Sequence, residues 1–228
     1  MTPDIFDVLR RQMVSQQIRK RGIHEERLLD AMSSVPRHEF VPPEYRARAY
    51  EDKPVPIDTD TSISQPYIVA LMTEALDLDD DDAVLEIGTG SGYHTAVLSR
   101  LARRVYTIEI DPKLAQRARR NLSRLGYRNV EIRVGDGYQG WPSAAPFDAI
   151  ILTAAPPRIP RPLMDQLRVG GRMVVSVGEF LQDLVVLEKQ EDGSVVRREL
   201  APVRLPEMTG EVQGSRAEEP PPQHHGQQ

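Results

Sequence analysis

Ala83-Val84-Leu85-Glu86-Ile87-Gly88-Thr89-Gly90-Ser91-Gly92-Tyr93 is the stretch on which the fold turns. A short run, Val84 to Ile87, stops at three glycines that occupy every second position. A buried parallel strand entering a helix through a loop almost without side chains reads this way. Glycine is required where the backbone takes positive φ or lies close to a ligand. The helix expected next, Tyr93 to Leu101, would aim its free N–H groups and positive dipole end at that ligand. The spacing is Glu-x-Gly-x-Gly-x-Gly and departs from the Gly-x-Gly-x-x-Gly dinucleotide fingerprint. A glycine triplet alone is equally compatible with a tight turn that binds nothing.

Downstream, Val105 to Glu109 reads as a second strand ending in an acid. That acid follows the glycines by roughly 20 residues, the distance at which a carboxylate accepts hydrogen bonds from ribose hydroxyls. Asp111 and Pro112 read as the cap of a helix with Ala115, Ala118, Leu122 and Leu125 on one stripe, closed by Gly126. Val130 to Val134 is a third strand with Gly135-Asp136-Gly137 at its carboxyl end, where doubly wound sheets place their ligand crevice. Asp136 is either a turn residue or an adenine contact, and its position favours the contact. Phe147 to Leu152 is a fourth strand, with Thr153-Ala154-Ala155 small enough to border a pocket. A short helix around Leu163 to Leu167, ending at Gly170-Gly171, precedes a fifth strand, Arg172 to Val177. Leu184 to Lys189 and Val195 to Leu200, joined through Asp192-Gly193, read as an antiparallel hairpin.

Upstream, Phe6, Leu9 and Met13 share a helical face, and Leu28 and Met32 lie one turn apart on a second helix. Asp52 to Asp60, with Pro54 and Pro56, reads as extended. Pro66 suits the first position of a helix with Ile68, Leu71 and Ala75 on its buried face. Ser62 and Ser64 then stand beside that helix N-terminus, either as capping hydroxyls or as anion ligands. Position alone favours capping.

The chain has 228 residues and a net charge of −5. That length suits one α/β domain, expected over 1–212 with 1–60 as a helical lead-in and substrate-side segment and 61–212 as the cofactor-binding core. No phosphate-binding surface is indicated, so nucleic acid is not an expected partner. With no cysteine, disulfides, thiol nucleophiles and thiolate zinc sites are excluded. Apolar runs are of strand length, which points away from membranes and towards the cytoplasm. The tail 213–228 lacks periodic apolar residues and is expected to be disordered, with His224-His225 a flexible pair and not a metal site.

With these motifs in place the chain resembles the protein-L-isoaspartate (D-aspartate) O-methyltransferase family. The resemblance runs from about Met13 to Glu211. It is carried by Val35-Pro36-Arg37 with Phe40-Val41, by Ser62-Ile63-Ser64-Gln65-Pro66-Tyr67, and by Val84 to Tyr93. Gly135-Asp136-Gly137 with Gly140-Trp141, Pro146 to Ile150, Thr153-Ala154-Ala155-Pro156 and Gln166-Leu167 complete it. The glycine loop and Glu109 are generic to S-adenosylmethionine methyltransferases; the Ser-Gln-Pro and Ala-Ala-Pro segments are the specific signals.

The resemblance implies a Rossmann-like fold, doubly wound and mostly parallel, with a C-terminal antiparallel hairpin and a helical lead-in. It implies S-adenosylmethionine as cofactor, with Glu86, Gly88, Thr89, Gly90, Gly92, Glu109, Asp136, Gly137 and Thr153 as its binding set. Ser64 falls on the family's active-site serine, and Ser62, Ile63 and Ser64 flank the substrate carboxylate. The implied reaction is methyl transfer to the free carboxylate of L-isoaspartyl, and possible D-aspartyl, residues in damaged proteins and peptides, by a monomer and without a metal. The acceptor is already ionised at neutral pH, so no general base is required. Three departures stand out: Ser62 in place of threonine, Asp58-Thr59-Asp60-Thr61 in place of a Gly-x-Gly-Gln run, and Val203 to Met208 in place of Val-Arg-Phe-Val-Pro-Leu. They leave open a family member with a specialised peptide acceptor.

Overall fold

The structure is a computed structural model and describes residues 4–59, 61–178 and 181–213. Its helices are α1 (Ile5–Gln12), α2 (Glu26–Ser34), α3 (Pro66–Leu76), α4 (Tyr93–Leu98), α5 (Pro112–Arg124) and α6 (Arg161–Gln166). The strands are β1 (Val55–Asp58), β2 (Thr61–Ile63), β3 (Ala83–Ile87), β4 (Arg104–Glu109) and β5 (Val130–Val134), followed by β6 (Phe147–Leu152), β7 (Leu167–Val177), β8 (Gln182–Lys189) and β9 (Val195–Val203). A π-helical turn, Met13–Ile18, continues α1.

Seven strands form one sheet in the order β5-β4-β3-β6-β7-β8-β9, and β1 pairs with β2 as a separate antiparallel ribbon. Pairing is parallel from β5 through β7 and antiparallel from β7 to β9. The chain winds outward from β3 to β5, then returns to lay β6 on the other side of β3. The carboxyl ends of β3 and β6 are therefore a topological switch point, where such sheets open a ligand crevice.

Alternation along β3 sorts its side chains. Leu85 and Ile87 join Phe147, Ile150 and Leu163 on the α6 face, whereas Val84 joins Met72, Leu98, Val105 and Ile151 on the α3/α4 face. The lead-in packs separately: Met13, Ile18, Leu28, Met32 and Phe40 meet Tyr93, Val97, Leu114 and Leu122. Residues 4–59 thus sit over the helices that follow the glycine loop. Truncating a fully buried Leu or Ile in these clusters to alanine costs about 2–5 kcal/mol.

Several boundaries differ from expectation. Helix α4 ends at Leu98, three residues early, in a turn. Strand β7 begins at Leu167 and runs through Gly170-Gly171, so those glycines do not end a helix. They occupy a register shift in which Phe147 pairs with Leu167 but Ala149 with Arg172, and a side chain at 171 would meet the Asp148 carbonyl at 2.8 Å. On α3 the fully buried residues include Val69, Ala70, Met72 and Leu76, while Ile68 and Leu71 are only half-buried, because the helix is wedged between two clusters. The tail from 214 onward, including His224-His225, lies outside the described residues. Among the described residues no helix is long and apolar enough to cross a membrane, and no three His, Asp or Glu side chains gather as a metal site.

Candidate active site

The glycine loop lies at the switch point, and its main chain is fixed from both neighbouring strands. Gly88 N–H donates to the Ile108 carbonyl at 2.8 Å, and Thr153 N–H donates to the Ile87 carbonyl at 2.9 Å. Thr153 Oγ1 also donates to the carbonyls of Ile87 and Gly88. Gly88, Gly90 and Gly92 have φ of 97°, 55° and 90°. A side chain at Gly88 would sit 2.3 Å from Thr153 Oγ1, so this position is closed on steric as well as conformational grounds.

Glu109, at the end of β4, is buried, and its two oxygens accept from Gly90 N–H at 2.7 Å and Asp111 N–H at 3.0 Å. A carboxylate has about four lone-pair sites, so capacity remains for two hydroxyls. Glu86 is different. It is fully buried, pairs in register with Thr107, and accepts from Thr107 Oγ1 at 2.7 Å and from Thr95 Oγ1 on α4. Thr89 Oγ1 lies 2.7 Å from Thr107 Oγ1, which extends this network up into the loop. Burial, eased by the two threonine bonds, pushes the Glu86 carboxyl up to about 8. Both its oxygens are enclosed, so the structure gives it a supporting place beneath the loop.

Asp136 is half-buried after β5. Its Oδ1 accepts from Tyr138 N–H at 2.9 Å, which is the turn reading, and its Oδ2 accepts from Glu211 N–H at 2.7 Å. The second bond ties the C-terminal segment to the crevice edge; Ala155 and Met208 continue that tie through main-chain bonds between 155 and 206–208. Gly137 faces Ile87 so closely that a side chain there would stand 2.3 Å from Ile87 Cγ2.

The serine segment takes the opposite side. Ser62 lies in β2 opposite Pro56, buried Ile63 pairs with Val55, and Ser64 follows the strand. The capping expectation for Ser62 and Ser64 is overturned: the cap position of α3 is Gln65, and no side chain caps that helix. Neither serine hydroxyl makes a hydrogen bond among the described residues. Gln65 instead anchors the segment sideways, its Nε2 donating to the Asp52 carbonyl at 3.1 Å and to Asp52 Oδ1 at 2.8 Å. Beside it the Arg21 guanidinium lies 3.4 Å from the Tyr67 ring centroid.

Two contacts bring the two sides together. Ile57 of β1 covers Gly90, its Cδ1 being 3.9 Å from where a Cβ would lie, and its carbonyl accepts from Arg117 of α5 at 2.7 Å. Tyr93, the first residue of α4, packs beneath Arg37, which holds the Ser64 carbonyl at 2.8 Å.

The family model of protein-L-isoaspartate (D-aspartate) O-methyltransferase matches residues 9–213. The chain belongs to this family. It is 54% identical over 201 residues, 87% of this chain and 98% of the relative, to the protein-L-isoaspartate O-methyltransferase of Gloeobacter violaceus. To that of Synechococcus sp. it is 59% identical over 180 residues, 79% of this chain and 74% of the relative. A solved protein-L-isoaspartate O-methyltransferase superposes with a TM-score of 0.82 at 31% identity, covering 89% of this chain and 67% of that one. A Plasmodium falciparum β-aspartate methyltransferase, solved with S-adenosyl-L-homocysteine, shares the fold, with a TM-score of 0.77 at 22% identity over 88% of this chain and 98% of that one.

Sequence reasoning placed these family motifs correctly along the sheet but missed what supports them. His94 stands second on α4, buried, with Nε2 2.9 Å from Thr73 Oγ1. Burial, reinforced by the Arg37 charge, pulls it down to about 3, so it is a neutral histidine beside the loop. Nothing in the local sequence separates a buried histidine from an exposed one on so short a helix. The Glu211 contact to Asp136 was equally hidden, since 75 residues separate the partners.

Proposed function

We propose that the crevice above β3, β4 and β6 holds S-adenosylmethionine and that the β2–α3 junction presents the acceptor, the free α-carboxylate of an L-isoaspartyl residue. The enzyme is an S-adenosylmethionine-dependent protein-L-isoaspartate O-methyltransferase that acts in protein repair. The observation that carries the site assignment is the approach of the two loops: Ile57 covers Gly90 while Arg37 joins Tyr93 to Ser64.

The residues fit the cofactor. Gly88 and Gly90 present bare main chain in the positive-φ region, and Gly88 and Gly137 each stand where a side chain would meet Thr153 or Ile87. Glu109 retains acceptor capacity for the ribose hydroxyls. Asp136 and Gly137 frame the adenine, with Asp136 also holding the turn. Gly88, Thr89, Gly90 and Gly92 form the cradle, Thr153 braces Gly88, and Glu86 acts from beneath through Thr107 and Thr89.

When bound, S-adenosylmethionine supplies a methyl group on a positively charged sulfur. Ser64 is the catalytic residue of this reading: its hydroxyl orients the acceptor oxygen by hydrogen bonding and attacks nothing. Ser62 and Ile63 flank the carboxylate. No residue removes a proton, because the acceptor is ionised far above its pKa. Alignment at contact distance supplies most of the rate, and exclusion of water by the lead-in favours the neutralised products. The protein acts as a cytoplasmic monomer on damaged proteins and peptides, without nucleic acid or a membrane.

The test is transfer of labelled methyl from S-adenosylmethionine to an isoaspartyl peptide beside its normal aspartyl twin. Base-labile label on the isoaspartyl peptide alone is expected; label on the twin, or on neither, contradicts the reading. Asp58, exposed at the β1–β2 tip and bonded to Thr59 N–H, favours a narrower acceptor range with acidic flanks disfavoured. A panel of isoaspartyl peptides with basic, neutral and acidic flanks measures that preference.

A further inference from the structure

Arg37 is the most enclosed cation among the described residues, with 0% exposure. Its Nε donates to the Ala49 carbonyl at 2.7 Å and its Nη2 to the Ser64 carbonyl at 2.8 Å. Its plane lies over the Tyr93 ring, 4.6 Å from the centroid. Nη1 is buried and donates to no carbonyl or carboxylate, the buried Tyr93 hydroxyl being the polar group that faces the guanidinium. No carboxylate pairs with Arg37 among the described residues, although Arg10, Arg46 and Arg124 of the same region each have one.

This is unusual because buried charges are normally paired. Holding two carbonyls explains the two donors but not the charge, since a neutral amide would serve a carbonyl as well. What remains is a positive charge with no internal counter-ion, within hydrogen-bond distance of the main chain of the serine that meets the acceptor.

We propose that Arg37 is a positioning residue for the acceptor: it fixes the Ser64 main chain and supplies the charge that draws the carboxylate to the β2–α3 junction. The proposal rests on the reading of Ser64 given above. Its chemistry is self-consistent. Methyl transfer forms an oxygen–carbon bond from a carboxylate lone pair while the carbon–sulfur pair returns to sulfur, so the anion becomes a neutral ester. The charge that favours substrate therefore ceases to hold product.

The experiment measures, with S-adenosyl-L-homocysteine bound so that no turnover occurs, the affinity of an isoaspartyl peptide and of the same β-linked peptide bearing an α-carboxamide. Wild type is expected to prefer the carboxylate. In Arg37→Gln the preference is expected to fall by at least about tenfold, with S-adenosyl-L-homocysteine affinity within about threefold of wild type. A purely structural Arg37 would weaken both peptides alike and leave their ratio unchanged, which overturns the proposal. Arg37→Lys keeps a cation in the cavity but gives up the planar fork that holds two carbonyls; it is expected still to prefer the carboxylate, and it is the variant to read if the glutamine protein does not fold. Loss of the preference in a folded lysine variant also overturns the proposal. A wild type indifferent to the carboxylate would instead refute the assignment of the acceptor.

Discussion

The two sides of the crevice are held by different kinds of force. On the cofactor side, the loop after β3 is tied to the strands beside it: Gly88 to Ile108, Thr153 to Ile87, Gly90 to Glu109, and Thr89 to Thr107 and through it to Glu86. On the acceptor side, a three-residue strand and one helix start are held by long side chains reaching in from elsewhere: Arg37 to Ser64, Gln65 to Asp52, Arg117 to Ile57. The first arrangement follows from strand register, so it is rigid and local. The second depends on side chains and not on strand register, so it can be altered without disturbing the cofactor. That division suits a protein that keeps one methyl donor while meeting many peptides.

The sharpest way to break the cofactor side is Gly88→Val. The position has φ of 97°, and its Cβ would stand 2.3 Å from Thr153 Oγ1. Strain and overlap together are expected to cost at least about 100-fold in S-adenosyl-L-homocysteine affinity by calorimetry. Gly126→Ala, a positive-φ glycine with open space around it, is expected to lower stability by about 1 kcal/mol and leave that affinity alone.

Glu86 and His94 give the same side a pH signature. The Glu86 carboxyl, ordinarily near 4.5, is raised to about 8 in the fold. Its contribution to stability is full below pH 4.5 and is lost as pH rises through 8, on the order of 3–5 kcal/mol. Glu86→Gln is expected to flatten that decline in urea titrations from pH 4.5 to 8. His94 runs the other way: lowered to about 3 from 6.5, it contributes above pH 6.5 and that contribution is lost as pH falls towards 3. His94→Gln is expected to make the acid limb shallower.

The smallest effect concerns the C-terminal tie. Asp136→Asn keeps one acceptor oxygen, for either Tyr138 N–H or Glu211 N–H. A loss of about 1 kcal/mol in thermal unfolding is expected, with a few-fold change in S-adenosyl-L-homocysteine affinity. A large loss of affinity would show that its contact with the cofactor outweighs its turn role.

The same division explains what could be read in the chain before its structure. Val84 to Gly92, Glu109 and Gly135 to Gly137 carry their own geometry, because period, glycine spacing and strand ends are local properties. The Asp111 cap was legible for that reason and is seen accepting from Lys113 N–H. Ser62 and Ser64 were not, since a hydroxyl near a helix start looks like a cap, although with Pro66 first in the helix the cap position falls on Gln65. Arg37 read as one residue of a motif; that it is buried, and without a carboxylate, depends on Ala49, Ser64 and Tyr93 converging from three segments. The glycines at 170–171 misled because they mark a shift in strand register, not a helix end.

Ser64→Ala tests the separation of the two sides most directly, by S-adenosyl-L-homocysteine titration and isoaspartyl-peptide turnover on one preparation. The expected result is cofactor affinity within about twofold of wild type and turnover lower by about 10- to 100-fold, the scale of one lost hydrogen bond to a charged group. A fall in cofactor affinity as large as the fall in turnover would contradict the separation and place Ser64 on the cofactor side.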